Sequence, residues 1–311
     1  MIKKENFNFL SSDNKTKINA CKWYKEETNH KAIIQLTHGM IEYIDRYDDF
    51  AKFLAENDFL VIGHDHLGHG DSVESEKNFG YFGKHPSRLV VSDMNKLRKK
   101  FFKEDVPYFI LGHSMGSYML RKYLSIYGND LSGAIIMGTG YIPGIVTTLG
   151  KTVAHLEALF LGWRHRSKLL QKLSYDKYYK RYSLDGSDSK NSWLTKDEEK
   201  VKKYYQDPKS TYIFTDNGYL GLFEAVEYSC KKKNIDKIPK DLPILFVSGK
   251  EDPVGQNGKG VEKVYRLFKE KNIQDVSLKL YENDRHEILN EIDKEKVYKD
   301  ILDWLNSKIE K

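Results

Sequence analysis

The sequence predicts an α/β fold, a mostly parallel sheet buried between helices on both faces. Three observations carry that prediction. Short continuous apolar runs alternate with amphipathic helical stretches up to about residue 140, and the alternation returns after residue 240. The apolar run Tyr108-Phe109-Ile110-Leu111 leads directly into Gly112-His113-Ser114-Met115-Gly116 and then into a helical pattern. The stretch between, residues 141–240, has helical patterns but no long apolar strand.

In chain order, 31–37 (K-A-I-I-Q-L-T) is a short buried strand. Residues 48–57 form an amphipathic helix with Phe50, Phe53 and Leu54 on its inner face. A strand at 59–63 and a helix at 90–102 follow. The strand at 108–111 precedes a helix at 115–127, whose Met119, Leu120, Tyr123, Leu124 and Tyr127 share a face and which Gly128-Asn129 stops. Gly133 to Met137 is the next strand. Helical patterns at 152–161 and 196–205 mark the middle segment. Pro243 to Ser248, a helix at 261–271, a strand at 276–281 and a helix at 295–309 complete the chain. A core that pauses and resumes implies one domain with an insertion: core at 1–140 and 241–311, and a helical cap at 141–240.

The bulk composition excludes several classes. With 311 residues and 40% hydrophobic content, a filled core is expected. The net charge of +6 is spread over interspersed signs, so a lysine-rich solvated surface is expected and no nucleic-acid partner. The two cysteines, Cys21 and Cys230, suggest neither a disulfide framework nor a zinc knuckle. No apolar run follows the basic N-terminal residues or approaches membrane-spanning length. A soluble, cytoplasmic protein is the expectation.

The pentapeptide at 112–116 has two readings. A serine after a strand can simply cap the following helix. Alternatively it is a nucleophile on a strained turn, with glycines two residues before and after it to avoid collision. A nucleophilic serine needs an imidazole, and the imidazole needs a carboxylate. The loop after the strand at 243–248 offers Asp252, preferred over Glu251 because the Asp-Pro turn projects it at the strand's carboxyl end. The loop after the strand at 276–281 offers His286. Asp284 is the second choice of acid, too near His286 in sequence to reach its far nitrogen. All these loops lie at carboxyl ends of strands, where ligands of such sheets gather. Two backbone donors for an oxyanion are expected at Met115, after the nucleophile, and at Met40, in the loop Thr37-His38-Gly39-Met40. His113 is expected to be structural.

These motifs resemble the monoacylglycerol lipase and lysophospholipase branch of the α/β-hydrolases, which includes serine-aminopeptidase-like sequences. The resemblance rests on His38-Gly39-Met40-Ile41-Glu42-Tyr43-Ile44-Asp45-Arg46-Tyr47, Asp65-His66-Leu67-Gly68-His69-Gly70-Asp71-Ser72 and Gly112 to Gly116. The loops at 249–254 and 284–287 share it. It implies an α/β-hydrolase fold with a helical cap inserted after the sixth strand. It also implies a Ser114–His286–Asp252 triad, oxyanion donors at Met40 and Met115, and a bracing pair Glu42–Arg46. The implied substrate is a small ester or lipid, with an amide hydrolase on the same triad as the alternative and at most transient contact with a membrane surface. No cofactor or metal is called for. A binuclear metal site at His64, His66 and His69 with Asp65 and Asp71 has the right ligand types but lacks a second cluster. A non-catalytic binding protein is disfavoured by the presence of every triad member. The cap's lysine- and tyrosine-rich sequence differs from a compact apolar lid. Its stripe Leu156, Leu159, Phe160, Leu161 and Trp163 reads as cap core or, alternatively, as acyl-pocket lining.

Overall fold

The computed structural model of the chain describes residues 1–27 and 29–309. Its sheet runs in the order β1-β2-β4-β3-β5-β6-β7-β8. The strands are β1 (Ile2–Leu10), β2 (Lys17–Lys25), β3 (Ala32–Thr37), β4 (Phe59–His64), β5 (Tyr108–His113), β6 (Gly133–Met137), β7 (Ile244–Gly249) and β8 (Val276–Tyr281). From β4 to β8 every pairing is parallel, whereas β1 and β2 form an antiparallel hairpin on one edge. The hairpin was not anticipated from the sequence, because its lysine-rich strands lack a continuous apolar run.

The parallel strands are apolar on both faces because both faces are covered. Successive residues enter opposite layers, as the twofold period of a strand requires. Ile110, Ile136 and Phe246 join one core, beneath α2 (Pro86–Phe101), α3 (Met115–Tyr127) and α9 (Lys259–Glu270). Phe109, Leu111, Ile135 and Val247 join the other, beneath α1 (Asp48–Glu56) and α10 (Lys294–Ile309).

Between β6 and β7 the chain adds no strand to this sheet. It forms α4 (Gly144–Leu161), α5 (Lys168–Ser174), α6 (Glu198–Gln206), α7 (Asp216–Cys230) and α8 (Lys232–Ile235). Helix α4 lies along α7 through Thr147, Gly150, Ala154 and Ala158, its buried residues. The stripe expected to be cap core or pocket lining is neither. Leu156, Leu159, Phe160 and Leu161 are exposed (54%, 74%, 80% and 60%), and Trp163 is partly so. Among the described residues no helix is long and apolar enough to cross a membrane.

Candidate active site

Ser114 joins β5 to α3 with φ 51° and ψ −120°. That left-handed backbone costs a serine of order 1–3 kcal/mol. The flanking glycines permit it by close approach. A Cβ at Gly112 would lie 2.5 Å from the Gly116 carbonyl oxygen, and a Cβ at Gly116 would lie 2.5 Å from that of His38. The Ser114 side chain makes no capping hydrogen bond to α3. The helix-cap reading therefore fails, and the hydroxyl faces a cavity instead.

His286 follows β8 and is buried, with Nδ1 3.0 Å from Asp252 Oδ1. Asp252 follows β7 and is fully buried; its Oδ2 accepts from Ser248 Oγ at 3.1 Å and its Oδ1 from the Val254 N–H at 2.8 Å. A carboxylate opposite Nδ1 makes that nitrogen the donor and leaves the lone pair on Nε2. Asp284, the second choice of acid, faces Asp293 and Glu291 instead. Burial and then the Asp293 charge push its carboxyl up to about 7.

The loop after β3 comes close to the Ser114 turn: a Cβ at Gly39 would lie 3.0 Å from Ser114 Cβ. Glu42 Oε1 accepts the Gly39 N–H, so that donor of the turn is already taken. Ile41, next in line, has φ 57°, a strained conformation for a β-branched residue. Met115, at the first position of α3, has no preceding helical turn to receive its N–H. Met40, Met115, Ser114 and His286 all line one cavity.

A buried ionic network ties these loops together. Arg46 donates to Glu42 Oε2 at 3.0 Å and to both oxygens of Glu287 at 2.7 Å. Glu287 is the residue after His286, so one guanidinium spans the loop after β3 and the histidine loop. The Glu42–Arg46 brace was expected; its extension to Glu287 was not. His113 Nδ1 lies 3.0 Å from Glu42 Oε1, and Nε2 lies 3.2 Å from the His286 carbonyl. With an acceptor on each side, both ring nitrogens donate. Burial opposes the charge most, but the Glu42 hydrogen bond together with the charges of Glu42 and Glu287 outweighs it and raises the His113 pKa.

The segment 64–72 serves this loop as scaffold. Asp65 accepts from the Ile44 N–H (2.8 Å), Asn19 Nδ2 (3.0 Å) and the Asp71 N–H (2.8 Å). His38 accepts the His66 N–H on Nε2 at 2.9 Å and packs against the His66 ring at a 40° tilt. The Asp65 carboxylate is thus used up by bracing donors. Trp193, which sequence reasoning missed, packs at a tilt with its ring centroid 5.1 Å from that of His286, and its carbonyl accepts the His286 N–H at 3.4 Å. Nothing local in the sequence marks a tryptophan 93 residues before His286.

The cavity measures about 480 Å³ and is mostly apolar, within the usual range for a small-molecule site. Its far wall comes from α4 (Val146, Leu149, Val153) and α7 (Leu222, Phe223, Val226). Helix α6 closes one side, with Tyr204 stacked on Arg46 at 4.8 Å and donating to the Ile41 carbonyl at 3.3 Å.

Comparison with known proteins gives a consistent picture. The family described as serine aminopeptidase, S33, matches residues 28–293. The monoglyceride lipase of Rattus norvegicus is 28% identical over 296 residues, covering 93% of this chain and 87% of that protein. The monoglyceride lipase homolog of monkeypox virus is 26% identical over 292 residues, with 93% and 94% covered. Among solved structures, a thermostable carboxyl esterase from Bacillus coagulans in complex with glycerol aligns with a TM-score of 0.86 and 27% identity, over 98% of this chain and 99% of that one. A soluble variant of the Saccharomyces cerevisiae monoglyceride lipase with a substrate analog shares the fold, at a TM-score of 0.77 and 24% identity over 98% and 94% of the two chains.

Proposed function

Because the chain belongs to the serine aminopeptidase S33 family of α/β-hydrolases, we propose that it is a carboxylic-ester hydrolase of the monoacylglycerol lipase type, with Ser114, His286 and Asp252 as its triad. The observation that carries this reading is the Asp252–His286 pair presented to one apolar cavity together with the strained Ser114.

His286 Nε2 takes the Ser114 proton as Oγ attacks the ester carbonyl, and Asp252 stabilises the resulting imidazolium. The Met40 and Met115 N–H groups hold the oxyanion, each contributing about 2.7–4 kcal/mol to the transition state. The alcohol leaves with the proton from His286. Water then repeats the sequence on the acyl-enzyme and releases the acid.

The polar inventory of the cavity favours an ester over a peptide with a free N-terminus. A free amine needs an unpaired carboxylate. Glu42 and Glu287 are committed to Arg46, and the remaining acid of the lining, Asp176, is solvent-exposed and accepts the Tyr178 N–H. The apolar walls suit an acyl chain, and the entrance suits a lipid source. Ile145, Leu156, Leu159, Phe160, Leu169 and Leu173 form an exposed apolar surface on α4 and α5, the helices that also line the cavity. A patch of this kind contacts a lipid surface transiently.

The test is labelling by a fluorophosphonate and turnover of p-nitrophenyl butyrate and a monoacylglycerol. Wild-type protein should label and turn over both esters. Ser114→Ala should do neither, and His286→Ala should lose turnover, with circular dichroism unchanged. Near-wild-type rates in either variant would sink the assignment.

A further inference from the structure

At the outer end of the α4–α7 pair lies a second polar cluster, apart from the ester site. Glu157 stands near the C-terminal end of α4, His165 in the connection to α5, and Asp216 at the first position of α7. One ligand atom from each residue lies within 4.8 Å of the other two. Asp216 is fully buried, and neither of its carboxylate oxygens meets a hydrogen-bond donor. Its charged neighbour is a second acid: burial and then Glu157 push the Asp216 carboxyl up to about 7. Two adjacent acids, one of them buried without a donor, are costly unless a cation joins them.

The backbone already holds the three residues in place. The Asp216 N–H donates to the His165 carbonyl at 2.9 Å, and the Asn217 N–H to the Trp163 carbonyl at 3.2 Å. Ser167 Oγ donates to Glu157 Oε2, fixing that carboxylate and leaving Oε1. Glu157 and His165 are half-exposed, so an ion can enter.

We propose that Glu157, His165 and Asp216 bind a divalent cation of the zinc class, which clamps the end of α4 to the start of α7. One imidazole and two carboxylates, with water as a fourth ligand, match the preference of Zn²⁺. Ca²⁺ and Mg²⁺ require six or more oxygens or a largely aqueous shell, which three side chains including a histidine do not supply. The clamp acts on specificity and not on the chemistry. Val153 of α4 and Phe223 of α7 face the cavity, so fixing these helices fixes the width available to an acyl chain.

The full chain, stripped with EDTA and dialysed, should bind about one Zn²⁺ per chain by calorimetry. Zn²⁺ should also raise Tm by several degrees, reversibly with EDTA, while Ca²⁺ and Mg²⁺ do not. His165→Ala should lose both effects and keep the Tm of the metal-free wild type; His165→Gln serves if the alanine variant misfolds. Turnover of p-nitrophenyl butyrate should be unchanged in this variant. Three results overturn the proposal: no Zn²⁺-dependent shift, a shift that persists in both His165 variants, or a response to Ca²⁺ alone. If Glu157 and Asp216 merely share a proton, Zn²⁺ will leave Tm unchanged while Asp216→Asn raises it above neutral pH, and that outcome overturns it too.

Discussion

Replacing Arg46 with methionine tests how the two halves of the site are held together. The substitution keeps an unbranched side chain against Tyr204 but removes the guanidinium from between Glu42 and Glu287. Both carboxylates are 5% exposed and Arg46 is 12% exposed, so solvent screening is weak. Removing one partner from a buried ion network costs about 3–5 kcal/mol. At about 2 °C per kcal/mol for a chain of this size, Tm should fall by roughly 6–10 °C at pH 7.5. The pH dependence has a defined sign. Burial alone would raise the Glu42 carboxyl, but His113 and Arg46 hold it well below the usual carboxylate range. Burial likewise opposes Glu287, and Arg46 outweighs it, so its pKa is lowered. Groups with depressed folded values contribute stability above their unfolded pKa of about 4.3 and lose it as pH falls through the folded values. In the variant the uncompensated acids instead take up protons on acidification. The gap in Tm between wild type and variant should therefore be widest at pH 7–8 and narrow towards pH 5. Because Arg46 joins the loop after β3 to the histidine loop, kcat should also drop, by about 10²-fold. Thermal melts across pH 5–8 and p-nitrophenyl butyrate kinetics read both effects. A variant within about 2 °C of wild type at pH 7.5, with unchanged kcat, would refute the reasoning.

Three further outcomes follow from the same geometry. Val153→Phe narrows the α4 wall of the cavity; displacing two methylenes of substrate forfeits about 1.6 kcal/mol, so kcat/KM for long acyl esters should drop roughly tenfold while butyrate turnover holds. Leu159→Ser with Phe160→Ser removes two of the most exposed apolar side chains of α4; co-sedimentation with phosphatidylcholine vesicles should weaken and soluble-ester kinetics should not. Asp284→Asn should raise Tm, by an amount that grows from about pH 4 to pH 7 and then levels off. The wild-type carboxyl titrates near 7 when folded but near 3.9 when unfolded, and a constant gain across that range would contradict this assignment.

The sequence shows most clearly those features whose signal is short in range. The inner strands β3, β5 and β7 read as largely apolar runs because they are buried on both faces. The strand β1 carries a different code: Glu5 pairs with Lys22 across the hairpin, and Phe7 and Phe9, partly buried against the core, alternate with the exposed Asn6, Asn8 and Leu10. An edge hairpin covered on one side gives only that weak alternation. The glycines of the Ser114 turn were readable because their reason is local. The Arg46–Glu287 bridge links positions 241 residues apart, and neither residue's neighbours announce its partner. Trp193 reaches His286 from a loop without regular pattern, so its role depends on how the cap folds over the core.

The misread stripe on α4 has a physical reason that bears on function. The rule that large apolar residues mark the inner face of a helix assumes packing by large side chains. Helix α4 instead packs through small residues, Thr147, Gly150, Ala154 and Ala158, spaced three and four apart. At Gly150 the Phe223 ring would lie 2.6 Å from an added Cβ, so the two helices meet nearly backbone to ring. Close contact of this kind leaves no room on that face for leucine or phenylalanine. They are displaced onto the two remaining flanks: Val146, Leu149 and Val153 face the cavity, and Leu156, Leu159 and Phe160 face outward. A helix apolar on three sides is expensive for a protein that meets only water. It is economical for one that must draw an acyl chain from a lipid surface along the same helix to Ser114.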